Sequence, residues 1–256
     1  MNKYLLLSDI HLNSITIIKR DIIIYNYLKK YLDNGFKIIL IGDIFDIIIN
    51  ELIKFNKEYK MISNIYPKTS ELIKTNENII YIKGNHDAVL ERFNIHPKII
   101  NELNIRFSNY SIHIEHGHLY DLANGKCHCF GDCVSRIWGC CKQNISNEDF
   151  LDKVENIDEI NKSHKKLKKA AKKINANMVI FGHTHKRYFN SNHLNKVYIN
   201  TGVFNKDENW IDETQLHLEY EGNKLNKIFV KQREKNINDI NNVIRRNTNT
   251  YIIDLN

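Results

Sequence analysis

The chain has 256 residues, 42% of them hydrophobic, enough to bury a full core as one large domain or two small ones. With 37 Lys and Arg against 30 Asp and Glu, the net charge is +7, which raises nucleic acid, a membrane surface or phosphorylated substrates as partners without choosing among them. Two prolines and ten glycines exclude collagen-like and linker-dominated chains.

The opening MNKYLLLSDIHL has too short an apolar stretch for a signal peptide, and Asp9 interrupts it, so it reads as a strand starting almost at Met1. No apolar run approaches the roughly 18 residues that span a bilayer. Ile, Asn and Lys are over-used, as in a chain encoded by AT-rich DNA, which weakens propensity as a guide.

In chain order, short apolar runs each end at a cluster of metal-capable residues. KYLLLS leads into Asp9-Ile10-His11, and KIILI into Gly42-Asp43-Ile44-Phe45-Asp46. IIYIK leads into Gly84-Asn85-His86-Asp87, YSIHIE into His116-Gly117-His118, and NMVIF into Gly182-His183-Thr184-His185. Continuous apolar runs bounded by Gly or polar residues predict strands covered on both faces. The amphipathic stretches 16–34 and 50–76 read as covering helices.

Residues 119–148, rich in Cys and Gly and carrying Trp138, read as a cap inserted beside the site. Residues 149–174 read as one long helix, opened by a capping box at Ser146…Asp149. VYINTGVF reads as a closing strand, and 214–220 with 224–231 as a hairpin turning at Glu221-Gly222-Asn223. The predicted organisation is a domain over 1–235, in which 119–174 is an inserted cap and basic helix, followed by an Asn-rich tail, 236–256, peripheral helix or disordered.

In α/β sheets, sites form beyond the carboxyl ends of the strands, so the five clusters are expected to converge on one edge. Asp-x-His and His-x-His spacing puts two side chains on one side of an extended backbone. Together Asp9, His11, Asp43, Asn85, His116, His183 and His185 offer carboxylates, imidazoles and a neutral oxygen, the ligand set of two divalent ions. Several buried imidazoles are hard to justify unless they bind metal, since each loses solvation on burial. Mixed nitrogen and oxygen donors without thiolate favour Mn, with Fe or Zn as alternatives, over Ca.

The ordered set DIH, GDIFD, GNHD, HGH and GHTH resembles the calcineurin-like metallophosphoesterase superfamily over residues 3–205. The resemblance implies an α/β fold, a four-layer α/β/β/α sandwich with a small inserted cap, holding two metal ions. By motif, it implies that Asp9, His11 and His185 hold one metal, that Asn85, His116 and His183 hold the other, and that Asp43 bridges both. His86 is implied as stabiliser or proton donor, oriented by Asp87, with Asp46 and His118 behind the ligands. The implied mechanism is in-line attack on phosphorus by a hydroxide whose pKa the metals lower.

Protein phosphatases of this type carry Arg-Gly after GDxxD and Glu after GNH; Ile47-Ile48 and Asp87 stand here instead, which argues against that alternative. The layout is more similar to UDP-2,3-diacylglucosamine hydrolases, which implies a pyrophosphate or phosphodiester in a small phosphorylated or lipid-linked nucleotide. Arg136 and Lys166 are loose candidates for gripping it. His118 and Val203 depart from that family's HGD and INTGDW. The charge keeps a nuclease as the alternative, although no aromatic-interleaved basic groove is visible.

Five cysteines (Cys127, Cys129, Cys133, Cys140, Cys141) crowd one segment instead of forming a disulfide framework, which favours a reducing, cytoplasmic location. They suit a structural Zn of non-standard spacing or small buried thiols, and Phe130, Val134, Ile137 and Trp138 offer an apolar face for lipid. Seven lysines in 162–173, with no acid among them, equal the whole net charge. That stretch reads as a helix end matched to its dipole, or as a docking strip for phosphate or for peripheral contact with anionic membrane.

Overall fold

A computed structural model of the chain describes residues 1–13, 19–47, 52–88, 90, 96, 98–121, 157–193, 196–204, 210–236 and 246–255. In chain order the elements begin with β1 (Asn2–Leu7), α1 (Lys19–Asp33), β2 (Lys37–Ile41), α2 (Leu52–Ile65) and α3 (Pro67–Thr75). Next come β3 (Ile79–Ile82), β4 (Ile99–Ile100), β5 (Glu102–Arg106), β6 (Ser111–Glu115) and α4 (Ile157–Lys173). The chain continues through β7 (Met178–Phe181), β8 (Tyr188–His193), β9 (Lys196–Asn200), β10 (Trp210–Glu221), β11 (Lys224–Asn236) and β12 (Arg246–Asp254).

Strand alternation assigns each apolar residue to a layer. On β1 and β2, Leu5, Leu7, Ile38 and Leu40 join Ile24 and Leu28 of α1 and Ile62 of α2 in one buried cluster. Their neighbours Leu6, Ile39 and Ile41 face the other way, against Ile112, Ile114, Met178, Ile180 and Ile199 of a second sheet. On the far side of that sheet, Val179, Phe181 and Tyr198 pack on Leu167, Ala170 and Ala171 of α4. The result is helices, sheet, sheet, helix: the α/β sandwich that the motifs implied. Residues 157–173, read as part of the inserted segment, are therefore the outer layer over the second sheet.

The first sheet runs β12-β11-β10-β1-β2-β3-β4, with β1, β2, β3 and β4 mutually parallel. The second runs β5-β6-β7-β9-β8, with β6, β7 and β9 parallel. Parallel pairing turns the carboxyl ends of β1, β2 and β3 to one edge, and those of β6 and β7 to one edge of the other sheet.

Two stretches differ from the sequence reading. Residues 52–75 form two helices, because Pro67 cannot continue α2 and instead opens α3 at its first turn. The backbone amides of Lys68 and Thr69 donate to the Asp21 carboxylate on α1, at 3.2 and 2.9 Å, satisfying amides a helix start leaves unpaired. The second stretch is 246–254, which is neither helix nor disordered: it pairs with β11 from Lys227↔Asp254 to Lys235↔Arg246. Ile253 is buried there, and Tyr251 stacks on Phe189 of β8 with ring centroids 3.7 Å apart. The hairpin of β10 and β11 forms as read from the sequence. The cap of 122–148, the capping box at Ser146 and all five cysteines lie outside the described residues.

Ile180 has no exposed surface between the sheets, whereas Ile252 is 60% exposed on β12. Ile180→Ala is expected to cost about 2–5 kcal/mol in urea unfolding, and Ile252→Ala no more than about 0.5 kcal/mol.

Candidate metal centre

Every residue predicted as a ligand lies just past a strand end. Asp9 and His11 follow β1, Asp43 follows β2, Asn85 follows β3, His116 follows β6, and His183 and His185 follow β7. The backbone pairing of β1 with β2 runs on beyond the strands. The amide of Asp9 donates to the Gly42 carbonyl at 3.0 Å, His11 to Asp43 at 3.0 Å and Leu12 to Ile44 at 2.8 Å. This seam sets the two aspartates side by side.

The means of convergence differs from the extended spacing expected. Among the described residues, the non-glycine residues with positive φ are Asp9 (54°), His11 (50°), Asp43 (54°), His183 (68°) and His185 (54°). Left-handed backbone at an L-residue costs on the order of 1–3 kcal/mol and persists only where surrounding contacts hold it. All five belong to the expected ligand set. The pairs Asp9/His11 and His183/His185 thus share a side through turns in the backbone, not through strand alternation.

Asp9, His11 and His185 form one group. The Nε2 atoms of His11 and His185 are 3.1 Å apart, and Asp9 Oδ1 stands 3.2 Å from the latter and 3.9 Å from the former. Asp9 Oδ2 accepts the His183 amide at 3.1 Å. Gly182 is required here, because a Cβ would lie 2.6 Å from Ser8 Cβ and 2.9 Å from Asp9 Oδ2. Asn200 steadies the same turn by donating to the Gly182 carbonyl at 2.6 Å.

Asp43, His116 and His183 form a second group, their ligand atoms within 4.8 Å of one another. His116 Nε2 lies 3.1 Å from Asp43 Oδ2 and 3.3 Å from Asn85 Oδ1, while its Nδ1 donates to the Ile41 carbonyl at 2.7 Å, which fixes the tautomer. Asp43 Oδ1 accepts the His86 amide at 2.9 Å. A Cβ on Gly84 would come within 2.1 Å of that oxygen, so only glycine lets the β3 turn close over Asp43.

His86 stands between the groups. Its Nδ1 meets Asp46 Oδ1 at 2.8 Å, and its Nε2 lies 3.9 Å from Asp43 Oδ2. Asp46, not Asp87, therefore orients the ring. The buried Asp87 carboxylate is turned to the framework, accepting from the Gly84 amide at 2.5 Å, Tyr81 Oη at 2.6 Å and the Ile44 amide at 2.8 Å. It braces the two turns that carry Asp43 and Asn85.

The electrostatics match this arrangement. Burial alone would raise the carboxyls of Asp9 and Asp43, but the imidazoles of His185 beside Asp9 and of His116 beside Asp43 outweigh it, and both stay below the ordinary range. Burial lowers His11 to about 4, with help from His86, so its ring is neutral. Burial opposes charge on His86, yet the carboxylates of Asp43 and Asp46 push it up to about 9.

The donors fit a cation. Among the described residues, Asp9 Oδ1 is buried and receives no aligned hydrogen bond, while imidazole nitrogens face it. Burial opposes charge on His116, yet Asp43 pushes it up to about 9, so positive charge gathers beside the two buried carboxylates, the charge a divalent ion would supply.

Asp121, which no motif singled out, comes within 3.6 Å of His183 Nε2. It also binds Lys166 Nζ at 2.7 Å and the Ser163 hydroxyl, so it joins α4 to the second group, and its carboxyl is lowered chiefly by His183. Lys166, a candidate for gripping substrate, is thus engaged by Asp121, and Arg136 lies outside the described residues. The His118 ring sits 5.4 Å from that of His116, beside the group and not between its atoms.

Residues 3–222 match the model of the calcineurin-like phosphoesterase superfamily domain. A dimetal phosphatase from Danio rerio is similar in structure, with a TM-score of 0.52 and 11% identity, covering 100% of this chain and 99% of its own. Yfce, a phosphoesterase from E. coli, has a TM-score of 0.48 and 14% identity over 98% of this chain and 100% of its own. Vps29 complexed with Zn from Entamoeba histolytica has a TM-score of 0.43 and 13% identity over 97% and 98%. At these identities the likeness is one of fold. No curated protein sequence matches the chain.

In chelator-treated protein the His86 ring is expected to titrate near pH 9, followed by its NMR Cε1 proton and assigned with His86→Gln. Adding Zn²⁺ should lower that midpoint, because nearby cations disfavour the imidazolium. A midpoint insensitive to metal would put His86 outside the reach of any bound ion.

Proposed function

We propose, as this chain belongs to the calcineurin-like phosphoesterase superfamily, that it hydrolyses a phosphodiester or pyrophosphate bond with two divalent metal ions. The superfamily is one of metal-dependent phosphoesterases. The observation that carries the reading is the pair of ligand groups with His86 between them.

Asp9, His11 and His185 would hold one ion, Asn85, His116 and His183 the other, and Asp43 both. When bound, such ions supply Lewis acidity toward phosphoryl oxygens and acidify a water molecule near neutral pH. The donor set supports Mn, Fe or Zn. His86 acts from the protein side: with Nδ1 held by Asp46, its Nε2 is left to meet the phosphoryl group. As an imidazolium it neutralises charge developing on phosphoryl oxygens and delivers its Nε2 proton to the leaving oxygen. Asp46 is the positioning residue for that ring. Asp87 keeps the Gly84 turn in place and has no reach to the reacting atoms in this reading.

For the substrate we infer a small phosphorylated or lipid-linked nucleotide, resembling UDP-2,3-diacylglucosamine in carrying a pyrophosphate. The motif layout, similar to that of UDP-2,3-diacylglucosamine hydrolases, supports a substrate of this kind. No helix among the described residues is long and apolar enough to cross a membrane.

The test is turnover of bis-p-nitrophenyl phosphate and a UDP-sugar lipid with Mn²⁺. His86→Ala should lower turnover by about 10²–10⁴-fold with metal content unchanged. Asp43→Asn should lower turnover at least as far and reduce bound metal, read by atomic absorption. Full activity in Asp43→Asn would overturn the two-metal reading. Asp46→Asn should cost less than His86→Ala, and mainly by loosening the ring.

A further inference from the structure

One feature outside the ligand groups has no part in the chemistry above. Beside α4, a cavity of about 450 Å³ is lined by Asn161, Lys162, His164, Lys165, Lys168 and Lys186. It shares no residue with the ligand groups at the strand ends. Its two walls are α4 and the segment after His185, tied together where Lys186 Nζ donates to Asn161 Oδ1 at 2.9 Å.

Among the described residues, four ammonium groups line this cavity and no carboxylate does. Lys168 Nζ stands 3.9 Å over the ring of Tyr188, a contact that holds the ammonium beside the pocket. The wall also includes His164, only 6% exposed and clasped by Tyr188 and Tyr198 with ring centroids 4.6 and 5.7 Å away. Among the described residues neither of its ring nitrogens has a hydrogen-bond partner. Buried polar groups in folded proteins are nearly always satisfied, by protein, water or ligand. Burial, with Lys168 and Lys186 close by, holds His164 down to about 4, so this ring is neutral and the positive charge of the wall lies on the lysines.

From this geometry we propose that the pocket binds a phosphate group of a soluble small molecule, at a site separate from the metal centre. Four ammoniums carry far more positive charge than the single negative charge of a carboxylate balances, whereas a phosphate presents three or more oxygens and about two negative charges. The volume falls within the 300–1,000 Å³ typical of ligand pockets, which leaves room for the organic group that a phosphate carries.

The probe is inorganic pyrophosphate, titrated into the full-length chain with and without Zn²⁺ while the ring resonances of His164 are followed. A saturable shift of His164 is expected in both conditions. The double variant Lys168→Ala, Lys186→Ala should raise Kd at least tenfold, while His185→Ala leaves binding in the chelated protein unchanged. Lys186 is exposed and Lys168 only half-buried, so the double variant is expected to fold; circular dichroism checks this, and Lys168→Gln with Lys186→Gln repeats the test. No shift at His164, or a Kd indifferent to the lysines, overturns the proposal. So does binding to phosphatidylglycerol vesicles that needs these lysines and that pyrophosphate does not displace, since the strip would then serve a membrane.

Discussion

Two carboxylates, Asp9 and Asp43, are buried as charged groups at adjacent strand ends, and much of the surrounding structure follows from that. Neither is exposed beyond 2%, and each has an imidazole 3.1–3.2 Å away. Removing two negative charges from water is tolerable only if donors and cations meet them. Hence the amides of His86 and His183 are directed at their oxygens, glycine occupies the two places where a Cβ would strike them, and five ligand residues accept left-handed backbone.

The two sheets divide the work. The first delivers both aspartates, His11, Asn85 and His86; the second delivers His116, His183 and His185. The distance between the halves is set by the apolar contact of Leu6, Ile39 and Ile41 with Ile114 and Ile180, not by the polar groups themselves. Close-packed interiors deform little, so a core of branched aliphatic side chains is a good ruler for a site that tolerates errors well below an ångström. Ser8 Oγ donates to the Gly202 carbonyl at 2.7 Å and accepts from the Thr201 hydroxyl at 2.8 Å, which fastens the sheets again at the site's edge.

Much of this was legible in the sequence because the relevant signals are local. Runs such as KIILI and NMVIF are strands wherever they are buried, and each is followed within a few residues by its ligands. What was not legible depends on contacts between distant segments. Nothing near Asp121 marks it, since its role arises from Ser163, Lys166 and His183. Adjacency suggested Asp87 as the partner of His86, but the turn at Gly84 directs Asp87 inward and leaves Asp46, forty residues earlier, to meet the ring. Pro67 marked the break between α2 and α3, although the amphipathic pattern ran straight across it.

The strand β12 was the least visible, because RNTNTYIID has few apolar residues and its case rests on pairing with β11. Its placement bears on how the sandwich is closed. The two sheets meet a shared border at β12 and β8, where Tyr251 stacks on Phe189 and Ile253 enters the core between them. Without that strand, β11 would become the rim, offering a long row of unpaired amides and carbonyls backed by Ile228 and Val230. Such a rim is a template for joining one molecule to the next. The Asn-rich end thus acts as a selvedge, a finished border that keeps the sheet from ravelling into its neighbours.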